Sequence, residues 1–232
     1  MWSAKTFRNK RQCLKSFFNW CVREGLLKSN PVEKIEKPKL PQRLPRFINK
    51  EEALTVIAHA EFYPWRYSFE KIRNVAIMAM FIMTGLRLNE LINLKVHDVD
   101  FQSGEIFVEK GKGRKERIVP IYPKLQLSLS TYVNERRRLG VQSKYFFHSA
   151  RSTQKMTAKT VQNICRKVSR SAGVKFTPHS LRHTFGHLST DAGLGLYQLK
   201  DIMGHSTVST TEIYSSISKE GLKRKFFETE LF

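Results

Sequence analysis

Acidic residues are scarce in this chain. Twenty Asp and Glu stand against 41 Lys and Arg over 232 residues, a formal net charge of +21. So large an excess disfavours cationic partners and favours a polyanion, because each phosphate neutralised releases counterions. A ribosomal or merely soluble basic protein would share this property. Cysteine is scarce too. Cys13, Cys21 and Cys165 form no C-x-x-C pair, which excludes both a disulfide framework and a zinc knuckle. Reduced thiols fit an intracellular protein, and the cytoplasm is the expected compartment. Long apolar runs are missing: the longest, Val75 to Met83, is half a membrane span. The N-terminus is polar and basic, without an apolar signal core, so no membrane association is expected. Internal repeats and low-complexity tracts are absent.

What is present can fold. Hydrophobic residues make up 41% of the chain, enough for a sizeable core. Residues 5–24 read as an amphipathic helix, with Leu14, Phe17, Phe18 and Cys21 at i, i+3, i+4, i+7. Arg8, Arg11 and Lys15 share another, basic face. Gly25 ends this helix and Asn30-Pro31 marks a turn. Residues 36–46 place Pro38, Pro41 and Pro45 among Lys39, Arg43 and Arg46, an extended basic linker at a domain boundary. Residues 1–46 hold twelve Lys and Arg against three Glu, so the front of the chain is its most electrostatic part.

Asn49 followed by Glu51 and Glu52 predicts a capped helix start. Helices are expected at 70–84, 87–95, 122–139, 157–172, 179–191, 195–202, 207–215 and 219–229. Between them the period changes to two. Residues 105–108 and 117–120 flank Gly111-Lys112-Gly113-Arg114-Lys115, a β-hairpin with a basic, glycine-rich tip. The expected class is therefore mainly α with a small antiparallel β-hairpin or sheet, α+β.

Four stretches carry possible chemistry. Arg87 follows the Gly85 break, and a guanidinium there can hold two phosphate oxygens while Glu90 orients a basic group. A surface ion pair at i, i+3 is the plainer reading. The hairpin tip does not match a P-loop, since its lysines sit between strands. An ammonium there could protonate a leaving oxygen, or simply be solvated. His179 and Arg182 lie one turn apart, an imidazole and a guanidinium suited to proton transfer beside a phosphate. His179, His183 and His187 recur at i, i+4, i+8, which could also form a metal-binding face or serve packing. Tyr214, nine residues after His205, is a phenol that becomes a nucleophile only beside a base or a strong positive field.

Thr84-Gly85-Leu86-Arg87-Leu88-Asn89-Glu90-Leu91, the Gly111–Arg117 hairpin, His179-Ser180-Leu181-Arg182-His183-Thr184-Phe185 and Gly204-His205 with Tyr214 occur in one order and at suitable spacing. From about residue 46 onward the chain resembles the tyrosine recombinases, the phage integrases and Xer recombinases. The resemblance implies a site-specific DNA recombinase or integrase that cuts and rejoins strands through a 3′-phosphotyrosyl intermediate. Arg87, Arg182 and His205 would bind the scissile phosphate, and Tyr214 would attack it. Lys112 would protonate the leaving 5′-oxygen, His179 would handle the tyrosine proton, and Glu90 would support them. Arg8, Arg11, Lys15, Lys39, Arg43, Arg46, Arg114 and Lys115 are the expected DNA contacts. No cofactor, ATP or metal is implied.

The implied partners are double-stranded DNA and three further copies, a homo-tetramer on two DNA sites linked through a C-terminal exchange helix at 219–232. The implied domains are a partial helical core-binding segment at 1–35, the linker at 36–46 and a catalytic domain at 47–232. A complete core-binding domain is longer, so the front of this chain reads as the last part of one, either a naturally short form or a fragment. Two other functions stay open at this point: a type IB topoisomerase-like nicking-closing enzyme, and a DNA-binding protein with little or no catalysis. The target DNA sequence, the accessory proteins, and the choice between chromosome-dimer resolution and mobile-element integration are not encoded in any of these motifs.

Overall fold

The computed structural model describes residues 2–39, 46–109, 116–149 and 152–204. The chain divides into two compact units, Met1–Leu44 and Pro45–Phe232.

The first unit is built on helix α1 (Ala4–Arg23). Ser3 caps it, its hydroxyl accepting from the Thr6 amide at 3.2 Å. Gly25 closes it at φ +74°, and the Leu26 amide returns to the Cys21 carbonyl. The following segment folds back along the helix. Asn30 Nδ2 donates to the Lys15 carbonyl at 3.0 Å, and Arg11 Nε and Nη2 donate to the carbonyls of Ile35 and Val32 at 2.6 and 3.0 Å. This differs from the expected amphipathic pattern in two ways. Cys21 is buried, but Leu14 and Phe17 are 49% and 55% exposed. Arg11, expected beside Arg8 and Lys15 on a DNA-facing side, is 7% exposed and turned inward. A buried guanidinium needs acceptors, and the 32–35 carbonyls supply them.

The second unit is mainly helical around a three-stranded antiparallel sheet, as the α+β reading anticipates. Helix α2 (Lys50–Phe62) starts with the expected cap: Asn49 accepts from the Glu52 amide, and Glu52 accepts from the Asn49 amide. Helix α3 (Ser68–Thr84) is the central element, with every residue from Ala76 to Ile82 buried. A helix apolar on all sides needs neighbours on all sides; α2, α5 (Pro123–Arg138) and α7 (Pro178–Asp191) provide them. Each large side chain so buried contributes about 1.5–3 kcal/mol.

Helix α4 (Leu88–Asn93) follows Gly85. Strands β1 (Val99–Asp100), β2 (Glu105–Val108) and β3 (Arg117–Pro120) then pair in sequence order, with Ile106 opposite Val119 and Val108 opposite Arg117. The hairpin lies where the alternation predicts. Strand β1, only two residues long, has too little pattern to read in advance. Ile106, Val108 and Val119 face the core, while Phe107 and Ile118 face out. Helices α6 (Ala158–Ala172) and α8 (Leu196–Met203) complete the unit, α6 against α2 and α8 against α7 and β3. The expected helices at 207–215 and 219–229 lie outside the described residues.

Candidate active site

The site grows from two helix ends. Helix α3 stops because Gly85 takes a left-handed conformation, φ +62° and ψ 22°. The chain then turns so that Arg87 precedes the first turn of α4 in an extended conformation. Three residues on, Glu90 reaches back. Its Oε2 accepts the Arg87 backbone amide at 2.8 Å and its Oε1 accepts Arg87 Nη1 at 2.8 Å. The plain ion pair and the orienting carboxylate expected from the sequence are thus one contact, which aims the guanidinium.

Helix α8 ends at Gly204, φ +63°. The carbonyls at the end of a helix carry partial negative charge, which favours cations. Three arginines take up consecutive carbonyls. Arg117 Nε donates to Ile202 O at 2.7 Å, Arg182 Nη2 to Met203 O at 2.6 Å, and Arg87 Nη2 to Gly204 O at 2.9 Å. Arg182 also donates from Nη1 to Gly85 O at 2.5 Å, joining α7 to the end of α3. Arg182 is 4% exposed, while the Arg87 side chain keeps 25% of its surface. Two of the sequence candidates therefore meet at one turn, which leads directly into His205.

Sequence reasoning passed over Arg117. Its Nη1 and Nη2 donate to Glu90 Oε1 and Oε2 at 3.0 and 2.7 Å, a bidentate pair. Glu90 thus accepts four hydrogen bonds, two from each arginine. Burial alone would raise its carboxyl, but the bonds and charge of Arg117, then those of Arg87, outweigh burial and hold it at about 2. A signal existed. Arg117 sits at i−2 from buried Val119, so it shares the inward face of β3.

His179 stands one turn before Arg182 on α7. Its Nε2 lies 3.1 Å from His183 Nε2, with the rings edge to face. Burial presses the His179 imidazole below its ordinary value, and the charges of Arg182 and Arg87 add to this. His183 is pushed down to about 4, by burial first and then by His179 and Arg182. His187 does not join them. It lies against the Phe47 ring and pairs with Asp191 at 3.3 Å. The three imidazoles therefore do not gather around one point. Among the described residues the group placed to share an ion is His97, Asp98 and Glu109.

Of the other candidates, Arg8, Lys39 and Arg46 are exposed, and Lys15 faces Glu33 at 3.4 Å. Arg43, Lys112, Arg114, Lys115, His205 and Tyr214 lie outside the described residues, as does the 219–232 segment. No helix among the described residues is long and apolar enough to cross a membrane.

Known proteins resemble this chain in sequence and in fold. The phage integrase family matches residues 46–220. Tyrosine recombinase XerA of Pyrococcus furiosus is 36% identical over 91% of this chain and 70% of its own length. Tyrosine recombinase XerC of Thermodesulfovibrio yellowstonii is 32% identical over 95% of this chain and 74% of its own. A crystal structure of XerA recombinase superposes with a TM-score of 0.70 at 31% identity, over 85% of this chain and 68% of that one. The fold also matches XerH site-specific recombinase bound to palindromic difH substrate in a post-cleavage complex. There the TM-score is 0.77 at 23% identity, over 96% of this chain and 67% of that one. By family match, by relatives spanning most of its length and by fold, the chain belongs to the phage integrase family and is a tyrosine recombinase, an enzyme of site-specific recombination.

Proposed function

We propose that this recombinase cleaves double-stranded DNA with Tyr214 as nucleophile and Arg87 and Arg182 as the phosphate clamp. The observation that carries the reading is the pair of guanidiniums fixed on adjacent carbonyls, Met203 and Gly204, at the turn before His205. Donors aimed where charge develops lower the barrier to phosphoryl transfer, and both arginines are already fixed by folding.

The Tyr214 phenolate attacks phosphorus, and the bond from phosphorus to the 5′-oxygen breaks. This leaves a 3′-phosphotyrosyl ester and a 5′-oxygen that takes a proton from Lys112. Arg87, Arg182 and His205 neutralise the equatorial oxygens. His179 accepts the phenol proton. Burial and the charges of Arg182 and Arg87 disfavour its protonated form, and a neutral imidazole can accept. The 5′-hydroxyl of a second strand then attacks the ester and releases the tyrosine. The ester conserves the bond energy, so the cycle is isoenergetic and needs no nucleotide. Arg8, Lys15, Lys39, Arg43, Arg46, Arg114 and Lys115 contact the backbone. Four copies act on two DNA sites, each passing residues 219–232 to a neighbour. The compartment is the cytoplasm, where free thiols stay reduced.

Covalent trapping tests this. Wild-type protein and Tyr214→Phe are incubated with a pool of nicked duplexes and denatured, and any protein-linked DNA is sequenced. A tyrosine-dependent adduct is expected at a defined sequence. Equal adduct levels in both proteins would remove Tyr214 as nucleophile. Binding without any adduct would favour a non-catalytic DNA-binding role.

A further inference from the structure

Arg117 is the third arginine at the end of α8, and its geometry differs from that of the other two. Its side chain is 9% exposed and that of Glu90 14%, so the pair is largely withdrawn from water. All three nitrogens of its guanidinium are engaged, Nε on Ile202 O and the two Nη on the two oxygens of Glu90. The planar fork makes these bonds together only in one orientation. Gly204 packs against the same group: a Cβ there would lie 3.0 Å from Arg117 Nη1 and 3.1 Å from Cδ. The strand residue is therefore locked on three sides, by α4, by α8 and by the glycine turn.

Two candidate catalytic residues leave this lock by short stretches of chain. Lys112 precedes Arg117 by five residues, and His205 follows Gly204 directly. The Arg87 guanidinium is held by the same carboxylate that holds Arg117. We propose that Arg117 is a positioning residue for strand cleavage. It fixes the start of β3, five residues after Lys112, to the arginine clamp and to the turn that leads into His205. The proposal rests on the reading above, in which Lys112 is the acid.

That dependence gives the test. Full-length wild type, Arg117→Ala, Arg117→Lys and Lys112→Ala are compared in single-turnover cleavage. The substrates are matched nicked duplexes, one with the ordinary 5′-oxygen and one with a bridging 5′-sulfur at the scissile phosphate. The thiolate leaves without a proton, so the acid is dispensable on the second substrate. Displacing a catalytic group by about 1 Å costs on the order of 100-fold. Arg117→Ala is therefore expected to lose about 100-fold on the oxygen substrate, to lose about tenfold or less on the sulfur substrate, and to bind DNA nearly as wild type does. Arg117→Lys keeps the charge without the fork. It should show the same split, which also covers the case in which the alanine variant fails to fold.

Equal losses on both substrates, no loss on either, or unfolding of both variants would overturn the proposal and leave Arg117 a stability residue. Failure of the underlying reading has a different signature. Wild type would then form no Tyr214-dependent adduct, or Lys112→Ala would lose equally on both substrates.

Discussion

The ring of Phe185 occupies the space a side chain at Gly85 would need: a Cβ there would lie 2.5 Å from Phe185 Cδ1. The two residues come from different helices, α3's end and the middle of α7, and the contact brings the Gly85 carbonyl within reach of Arg182. Gly85→Ala therefore meets two penalties, a left-handed backbone and a clash. Together they are expected to cost about 2–4 kcal/mol, read by urea unfolding. Cleavage should fall as well, because the turn that precedes Arg87 must shift. An alanine variant of unchanged stability would show that the ring moves aside at no cost.

The carboxylate shared by two arginines predicts an acid response. Glu90 is held at about 2 in the folded protein, against 4.5 ordinarily. A depressed carboxyl contributes stability that is fully present above the unfolded value and is lost as pH falls through the folded one. Unfolding free energy measured from pH 5 to pH 2 should therefore decline. Glu90→Gln should flatten that decline and cost about 2–3 kcal/mol at pH 7. A Gln variant with the wild-type slope would assign the decline to other groups.

The histidine pair predicts a second limb at higher pH. His183 is pushed from 6.5 to about 4 and His179 is displaced the same way. The unfolded chain then takes up protons before the folded one does, so stability is lost as pH drops from about 6.5 towards 4. Ring-proton NMR should show His183 titrating near 4 and His179 below its ordinary range. A His183 midpoint near 6.5 would contradict the packing around it.

Unit one separates two arginines three residues apart. Arg11→Ala removes the donors to the buried Val32 carbonyl and the part-buried Ile35 carbonyl and is expected to cost about 1–3 kcal/mol. Its effect on the salt dependence of DNA binding should be small. Exposed Arg8→Ala should spare stability and lower the salt slope by about one. The opposite assignment of effects would return Arg11 to the DNA surface.

Much of this arrangement was readable in advance where local chemistry decides it. Asn49 and Glu52 cap a helix by their own side chains, and Gly85 ends a helix by its own backbone freedom. The hairpin follows from alternation alone. What could not be read depends on partners distant in sequence. Arg117 looks like one more basic residue beside Arg114 and Lys115 until the inward register of β3 and the position of Glu90 are known. Arg11 has helical spacing with Arg8 and Lys15, yet the returning 30–35 segment turns it inward. Leu14 and Phe17 have the period of a buried face, but the described residues leave them about half exposed.

The three carbonyls at the end of α8 have a consequence for turnover. Cations drawn from bulk water to a reacting phosphate would have to shed hydration and swing into place in every cycle. Here Arg182 and Arg117 are already dehydrated, and Arg87 is tethered at both ends of its fork. In the proposed reaction a phosphate arriving at Arg87 meets guanidinium charge that folding has already oriented. The reorganisation energy of that proposed reaction is correspondingly small.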